Sequence, residues 1–238
     1  MLAHGAITMT TLGTQILEAA SQMVSADLSD GTSGNLSARC DDGGAVLITP
    51  TGRRYARLDE HDLVHVDLAT GAARGRWGPS SEWRLHAAIY LGRPEVNAVI
   101  HHHGIWASAV AVARATIPVL IDEAADLGAV ATAPYAPSGS PELAATVSRQ
   151  FADGSNAVLL ANHGAVVAGR SLDEALRRAL QVERLAKIFV AARLLGGARE
   201  LTEDEVGRLQ PFFQGYRAHQ VDAIPRAPVT APLPRGAR

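Results

Sequence analysis

The sequence predicts an α/β fold: a three-layer α/β/α arrangement with a central, mostly antiparallel β-sheet flanked by helices. Three observations predict it. Short runs such as "AVLIT", "LVHVD", "NAVIHHH" and "AVLLANHGAVVAG" have the length and apolar content of strands. Tight turns bearing Gly, Asp and Asn join several of them, which pairs neighbouring strands antiparallel. Longer segments with apolar residues three and four apart separate these runs and read as helices.

Taken in order, the first helix spans 12–26, with Ile16, Leu17, Ala20 and Val24 at helical spacing. The turn "DGTSG" leads to a strand over 35–39, and "DDGG" closes a hairpin onto "AVLIT", with positive φ expected at Gly43 and Gly44. "LVHVD" is a short alternating strand. A helix over 81–91 stops before Pro94. The strand "NAVIHHH" and a small-residue helix over 106–114 follow. "AVLLANHGAVVAG" reads as two buried strands around a tight turn. Ser171 and Glu174 form an S-x-x-E capping box. The helix behind it carries Leu172, Leu176, Ala179, Val182, Ala186 and Phe189 on one face and ends near Leu195, before Gly196 and Gly197. A short helix is expected over 202–209. No linker interrupts residues 1–222, which read as a single domain. The Pro-rich tail 223–238 is expected to be disordered or draped over the surface.

Composition narrows the function classes. With 238 residues the chain can bury a sizeable core, and a net charge of −2 gives no reason to expect nucleic acid or an anionic membrane as a partner. No apolar run is long enough to span a bilayer, and "MLAHGAITMT" lacks the features of a signal peptide. Cys40 is the only cysteine, so no intrachain disulfide can form and a reducing cytoplasm is the expected compartment.

The chemistry concentrates in the histidines. On a strand, side chains alternate faces, so His101 and His103 project together, about 7 Å apart along the chain, while His102 points the other way. Such an i, i+2 pair can converge on one metal if a third ligand arrives from elsewhere. His163, at the end of the apolar run "VLLANH", is the best candidate. Each of these residues also has an ordinary reading as a hydrogen-bonded core histidine. His4, His61, His65 and His219 read as solvated, and His86 as a packed helix residue within reach of Glu82.

Three further stretches are rich in small donors: "GTSGNLS", "TPTG" and "PSSEW". Hydroxyls, backbone N–H groups and a helix N-terminus are what an anion site needs. Neither a Walker loop nor a dinucleotide fingerprint is present. Singly, each stretch is no more than a turn or a helix cap.

Together, "GTSGNLSAR", "ITPTGRRYARL", "SSEWRLHAAIY", "NAVIHHHGIWASAVA" and "LLANHGAVVAGRSLDEAL" resemble, in order, the class II aldolase/adducin family, and most of all its fuculose-1-phosphate aldolase branch. The resemblance covers roughly 11–216. It implies a divalent metal, usually Zn²⁺, with Mn²⁺, Co²⁺ or Fe²⁺ as substitutes, on His101, His103 and His163. It implies a catalytic carboxylate at Glu82 and a phosphate pocket of Thr32, Gly34, Asn35, Thr51, Gly52, Ser80 and Ser81. A site-closing tyrosine falls on Tyr216. A homotetramer with sites between subunits is implied as well, acting on a small phosphorylated ketose. Two departures stand out. Where the aldolase branch often has a Tyr shortly after an Ile-Pro, this chain has Asp122 and Glu123, and the tail beyond Tyr216 is longer.

The resemblance implies reversible cleavage of a ketose 1-phosphate to dihydroxyacetone phosphate and an aldehyde, through an enediolate. The same scaffold carries dehydratases of methylthioribulose 1-phosphate type, sugar-phosphate epimerases and decarboxylases. Glu82 argues against the epimerases, which resemble SSD here. The full His101, His103, His163 and Glu82 set argues against a non-catalytic adducin-like protein.

Overall fold

The computed structural model describes residues 11–221, with side chains up to residue 213. Its centre is an eight-stranded sheet in the order β4-β3-β2-β1-β5-β8-β7-β6. The strands are β1 (Asn35–Arg39), β2 (Ala45–Ile48), β3 (Val64–Asp67), β4 (Ala73–Arg74), β5 (Ala98–His102), β6 (Thr132–Ala133), β7 (Ala157–Leu160) and β8 (Gly164–Gly169). Six of the strand pairs are antiparallel and only β6–β7 is parallel, so the sheet is mixed but mostly antiparallel, as expected.

Alternation along the central strands divides the interior in two. Ala98, Ile100, Leu159, Ala165 and Val167 face one core, beneath α1 (Leu12–Ser25), α3 (Ile105–Val112) and α5 (Leu172–Leu194). Val99, Val158, Leu160, Val166 and Ala168 face the other, beneath α2 (Trp83–Gly92) and α4 (Pro141–Ala152). Both faces of β7, β8 and the first three residues of β5 are therefore apolar and read as continuous apolar runs.

The helices follow from their sequences. Thr11 caps α1 by accepting from Thr14 N, and Ile16, Ala19, Ala20 and Met23 form its buried stripe, while Val24 turns outward. Ser140 caps α4 ahead of Pro141, where the missing N–H costs nothing. Ser171 caps α5 as expected, but Glu174 accepts from Arg170 N rather than closing the box on Ser171. In the β1–β2 hairpin only Gly43 takes positive φ; Gly44 does not. The last helix, α6 (Glu203–Val221), is longer than the 202–209 expected and carries Pro211 inside it. The tail 223–238 lies outside the described residues. Among the described residues, no helix is long and apolar enough to cross a membrane.

Candidate active site and metal centre

The site forms where β5, the β7–β8 turn and the start of α2 meet. The strand parity that sends Ile100 and His102 toward α1, α3 and α5 sends His101 to the α2 side. His103, just beyond β5, joins it: the two rings lie 4.7 Å apart, centroid to centroid. His163 enters from the β7–β8 turn, where Asn162 holds φ of 56°, and its ring is 4.7 Å from His101 and 5.1 Å from His103. The turn admits this approach because Gly164 follows. A Cβ there would sit 2.4 Å from the His102 carbonyl oxygen and 3.0 Å from the His103 ring.

Glu82 completes the cluster. One carboxylate oxygen lies 3.0 Å from His101 Nε2 and the other 3.4 Å from His163 Nε2. Donor atoms of Glu82, His101, His103 and His163 all fall within 4.8 Å of one another. Their chemistry fits a divalent cation. His101 Nδ1 donates to the Ala165 carbonyl at 2.9 Å, so its Nε2 lone pair is turned inward. That nitrogen meets His103 Nε2 at 2.9 Å and the carboxylate at 3.0 Å. Lone pairs that converge this closely repel unless a cation or shared protons lie among them. Imidazole nitrogens with one carboxylate are a donor set that suits zinc and its neighbours.

Burial penalises charge on two of these rings. His103 and His163 are each lowered from 6.5 to about 4, by desolvation first and then by His101. Both are neutral at pH 7. Burial would raise the Glu82 carboxyl, but His101, His163 and the Asn35 amide outweigh it and hold the group well below the usual carboxylate range. His102 lies in the opposite core with Nδ1 accepting from Gly104 N, as its parity requires.

The sequence places Glu82 in the first turn of a helix begun by Ser80 and Ser81. Instead α2 starts at Trp83, and Glu82 is its N-cap residue with no side-chain cap bond. The reason is tertiary. The carboxylate is engaged by Asn35 Nδ2 at 3.0 Å and Ser138 Oγ at 2.9 Å, as well as by the histidines. Glu82 N donates to Ser80 Oγ instead.

Beside the cluster is a cleft of about 170 Å³. Thr32, Gly34, Asn35, Thr51, Gly52, Ser80 and Ser81 all line it, with Glu82, His103, His163 and Ser138. No Lys or Arg is among the lining residues. Its first loop is built by Asp30, which accepts from Thr32 N, Thr32 Oγ1 and Ser33 N; those bonds lower its carboxyl to about 2. The Thr32 hydroxyl is thus engaged within the loop. A larger cleft of about 280 Å³ between α1 and the start of α5 contains none of the histidines.

Asp122 and Glu123 do not join this cleft. They lie exposed on a single turn of 3-10 helix, where Glu123 pairs with Arg184 at 2.6 Å. Tyr216 falls on α6, but its side chain lies outside the described ones. Sequence reasoning missed Ser138, since nothing in "APSGSPEL" separates it from an ordinary turn. It also missed the link from His86 to Asn35, where His86 Nε2 lies 2.5 Å from Asn35 Oδ1.

The sequence profile of the Class II Aldolase and Adducin N-terminal domain matches residues 14–190, most of the chain and every residue of the cluster. The chain belongs to the class II aldolase and adducin family. Within it, L-fuculose phosphate aldolase of Escherichia coli is 36% identical over 208 residues, covering 86% of this chain and 95% of the relative. The 5-methylthioribulose-1-phosphate/5-deoxyribulose-1-phosphate aldolase of Rhodospirillum rubrum is 36% identical over 203 residues, covering 84% and 90%. A solved L-fuculose 1-phosphate aldolase superposes with a TM-score of 0.82 at 31% identity, covering 88% of this chain and all of that one. Both the sheet order and the helix placement described above are therefore those of a class II aldolase fold.

Proposed function

We propose that this chain is a metal-dependent class II aldolase. It cleaves a ketose 1-phosphate, of fuculose or ribulose 1-phosphate type, reversibly into dihydroxyacetone phosphate and an aldehyde. The observation that carries the reading is the position of Glu82. Its carboxylate stands between three convergent histidines on one side and a cleft of neutral donors on the other.

His101, His103 and His163 would hold the metal, Zn²⁺ in the first instance. Bound there, it supplies Lewis-acid stabilisation for the negative charge that cleavage leaves on the substrate. Thr51, Gly52, Ser80 and Ser81 bind the phosphate through hydroxyl and backbone donors and fix the substrate's register. Glu82 is ionised, so it can take a proton from the carbon next to the ester and return it there. Asn35 and Ser138 hold the carboxylate for that exchange. The relatives named above share the phosphorylated half of their substrates and differ in the aldehyde half, and the reading follows that shared half. It also makes the enzyme a cytoplasmic homotetramer. Exposed Ile105 and Val112 on α3, next to the site, are suited to a subunit contact.

The test is to incubate metal-loaded protein with a panel of phosphorylated ketoses and couple the mixture to dihydroxyacetone phosphate detection. Release from at least one ketose 1-phosphate is expected. Turnover with loss of water or carbon dioxide, and no dihydroxyacetone phosphate, would assign the site to dehydratase or decarboxylase chemistry.

A further inference from the structure

A line of hydrogen bonds runs from Glu82 away from the histidine cluster, into the core between β1 and α2. Asn35 Nδ2 donates to Glu82 at 3.0 Å, and Asn35 Oδ1 lies 2.5 Å from His86 Nε2. His86 Nδ1 lies 2.7 Å from Ser37 Oγ, which is 2.9 Å from the Tyr90 hydroxyl. Tyr90 in turn donates to the Ser37 carbonyl at 3.0 Å. Asn35, Ser37, His86 and Tyr90 are all buried, so no solvent competes for these bonds.

The line has a direction. An amide oxygen can only accept, so the proton between His86 and Asn35 belongs to His86 Nε2. In a neutral imidazole Nδ1 is then bare and accepts from the Ser37 hydroxyl. Reversing the line would put the proton on Nδ1, turn the Asn35 amide over and press its carbonyl oxygen against the Glu82 carboxylate. The tautomer of one ring and the orientation of one amide are therefore a single choice, and the Glu82 carboxylate, which can only accept, requires the one in which Asn35 donates to it.

We propose that His86 is a positioning residue for Glu82: its Nε2–H tautomer locks the Asn35 amide in the orientation that donates to the carboxylate. The side chain touches neither the cleft nor the metal ligands' donor atoms; it acts through Asn35. A histidine kept only for packing would tolerate an apolar replacement of similar volume. A histidine kept as an oriented donor would not, but glutamine would serve in its place, because its amide nitrogen reaches about where Nε2 stands. The kinetic consequence rests on the aldolase reading; the tautomer does not.

The tautomer is read by ¹⁵N NMR of histidine-labelled, metal-loaded protein, with His86 assigned by its loss in His86→Gln. A protonated Nε2 and a bare Nδ1 are expected. A protonated Nδ1 overturns the proposal, whatever reaction the site performs. In steady-state kinetics, His86→Leu should lose about 10- to 150-fold in kcat, the worth of a hydrogen bond to a charged group, while KM moves less. Metal content should stay at the wild-type level, and His86→Gln should recover most of the loss. Equal losses in the Leu and Gln variants would reduce His86 to packing. If His86→Leu does not fold, the wild-type spectrum still decides. If the wild type cleaves no ketose phosphate, the aldolase reading falls while the spectrum continues to test the lock.

Discussion

His102 separates pattern from chemistry at the level of single residues. It stands between two histidines of the cluster and is fully buried, yet strand parity turns it into the opposite core. We expect His102→Gln to retain near-stoichiometric metal by atomic emission, and His101→Ala, His103→Ala or His163→Ala to lose it. Loss in the His102 variant, with retention in His103→Ala, would reverse the assignment. The cleft residues divide in the same way. Asn35 turns its amide to Glu82, whereas Thr51 and Ser81 are exposed residues that line the cleft. Thr51→Ala and Ser81→Ala should raise KM for a phosphorylated ketose, each by about 10- to 150-fold for a lost bond to an anion. Asn35→Ala should act mainly on kcat. Unphosphorylated ketoses that react as well as phosphorylated ones would show that the cleft does not bind phosphate.

Periodicity made the longer elements legible before any coordinates. The buried stripe of α5, the strand pair around Asn162 and the α1 face all follow from apolar spacing in the sequence. What could not be read there depends on contacts made across the fold. The start of α2 is set by Asn35, Ser138 and the histidines pulling on Glu82, not by the serines before it. Strands β4 and β6 have two residues each, too few to show a period. The histidine cluster was legible because parity on β5 and the turn after β7 are local properties; Ser138 and the His86 link were not, because each is made by loop approach or by packing of α2 on β1. Gly164 gives this element-level account a test. Alanine there would have to displace the His102 carbonyl or the His103 ring. We expect Gly164→Ala to lower the melting temperature and lose metal together. Unchanged metal affinity would mean that the β7–β8 turn has slack the structure does not show.

Across the whole molecule, two cores on either side of one sheet hold a set of buried, neutral histidines, and this makes stability depend on pH. Burial lowers His86 from 6.5 to about 3, and His102 likewise. Between those values the unfolded chain takes up protons that the folded chain does not. Stability is therefore complete above about pH 6.5 and falls as pH drops toward 3. Metal-free wild type should melt at a lower temperature at pH 5 than at pH 7, and His86→Gln, which removes one such group, should show a smaller drop. Equal drops would mean that His86 is not held neutral. We propose that strands and loops brought from across the chain make Glu82 a proton carrier between a metal site and a phosphate cleft. Proton exchange at the hydroxymethyl carbon of dihydroxyacetone phosphate isolates that step, because it needs no aldehyde. In deuterium oxide the metal-loaded wild type should exchange one hydrogen there stereospecifically. Glu82→Gln should keep its metal and slow the exchange by about two to four orders of magnitude, the usual worth of general acid–base catalysis. Exchange at the wild-type rate in Glu82→Gln would contradict the account.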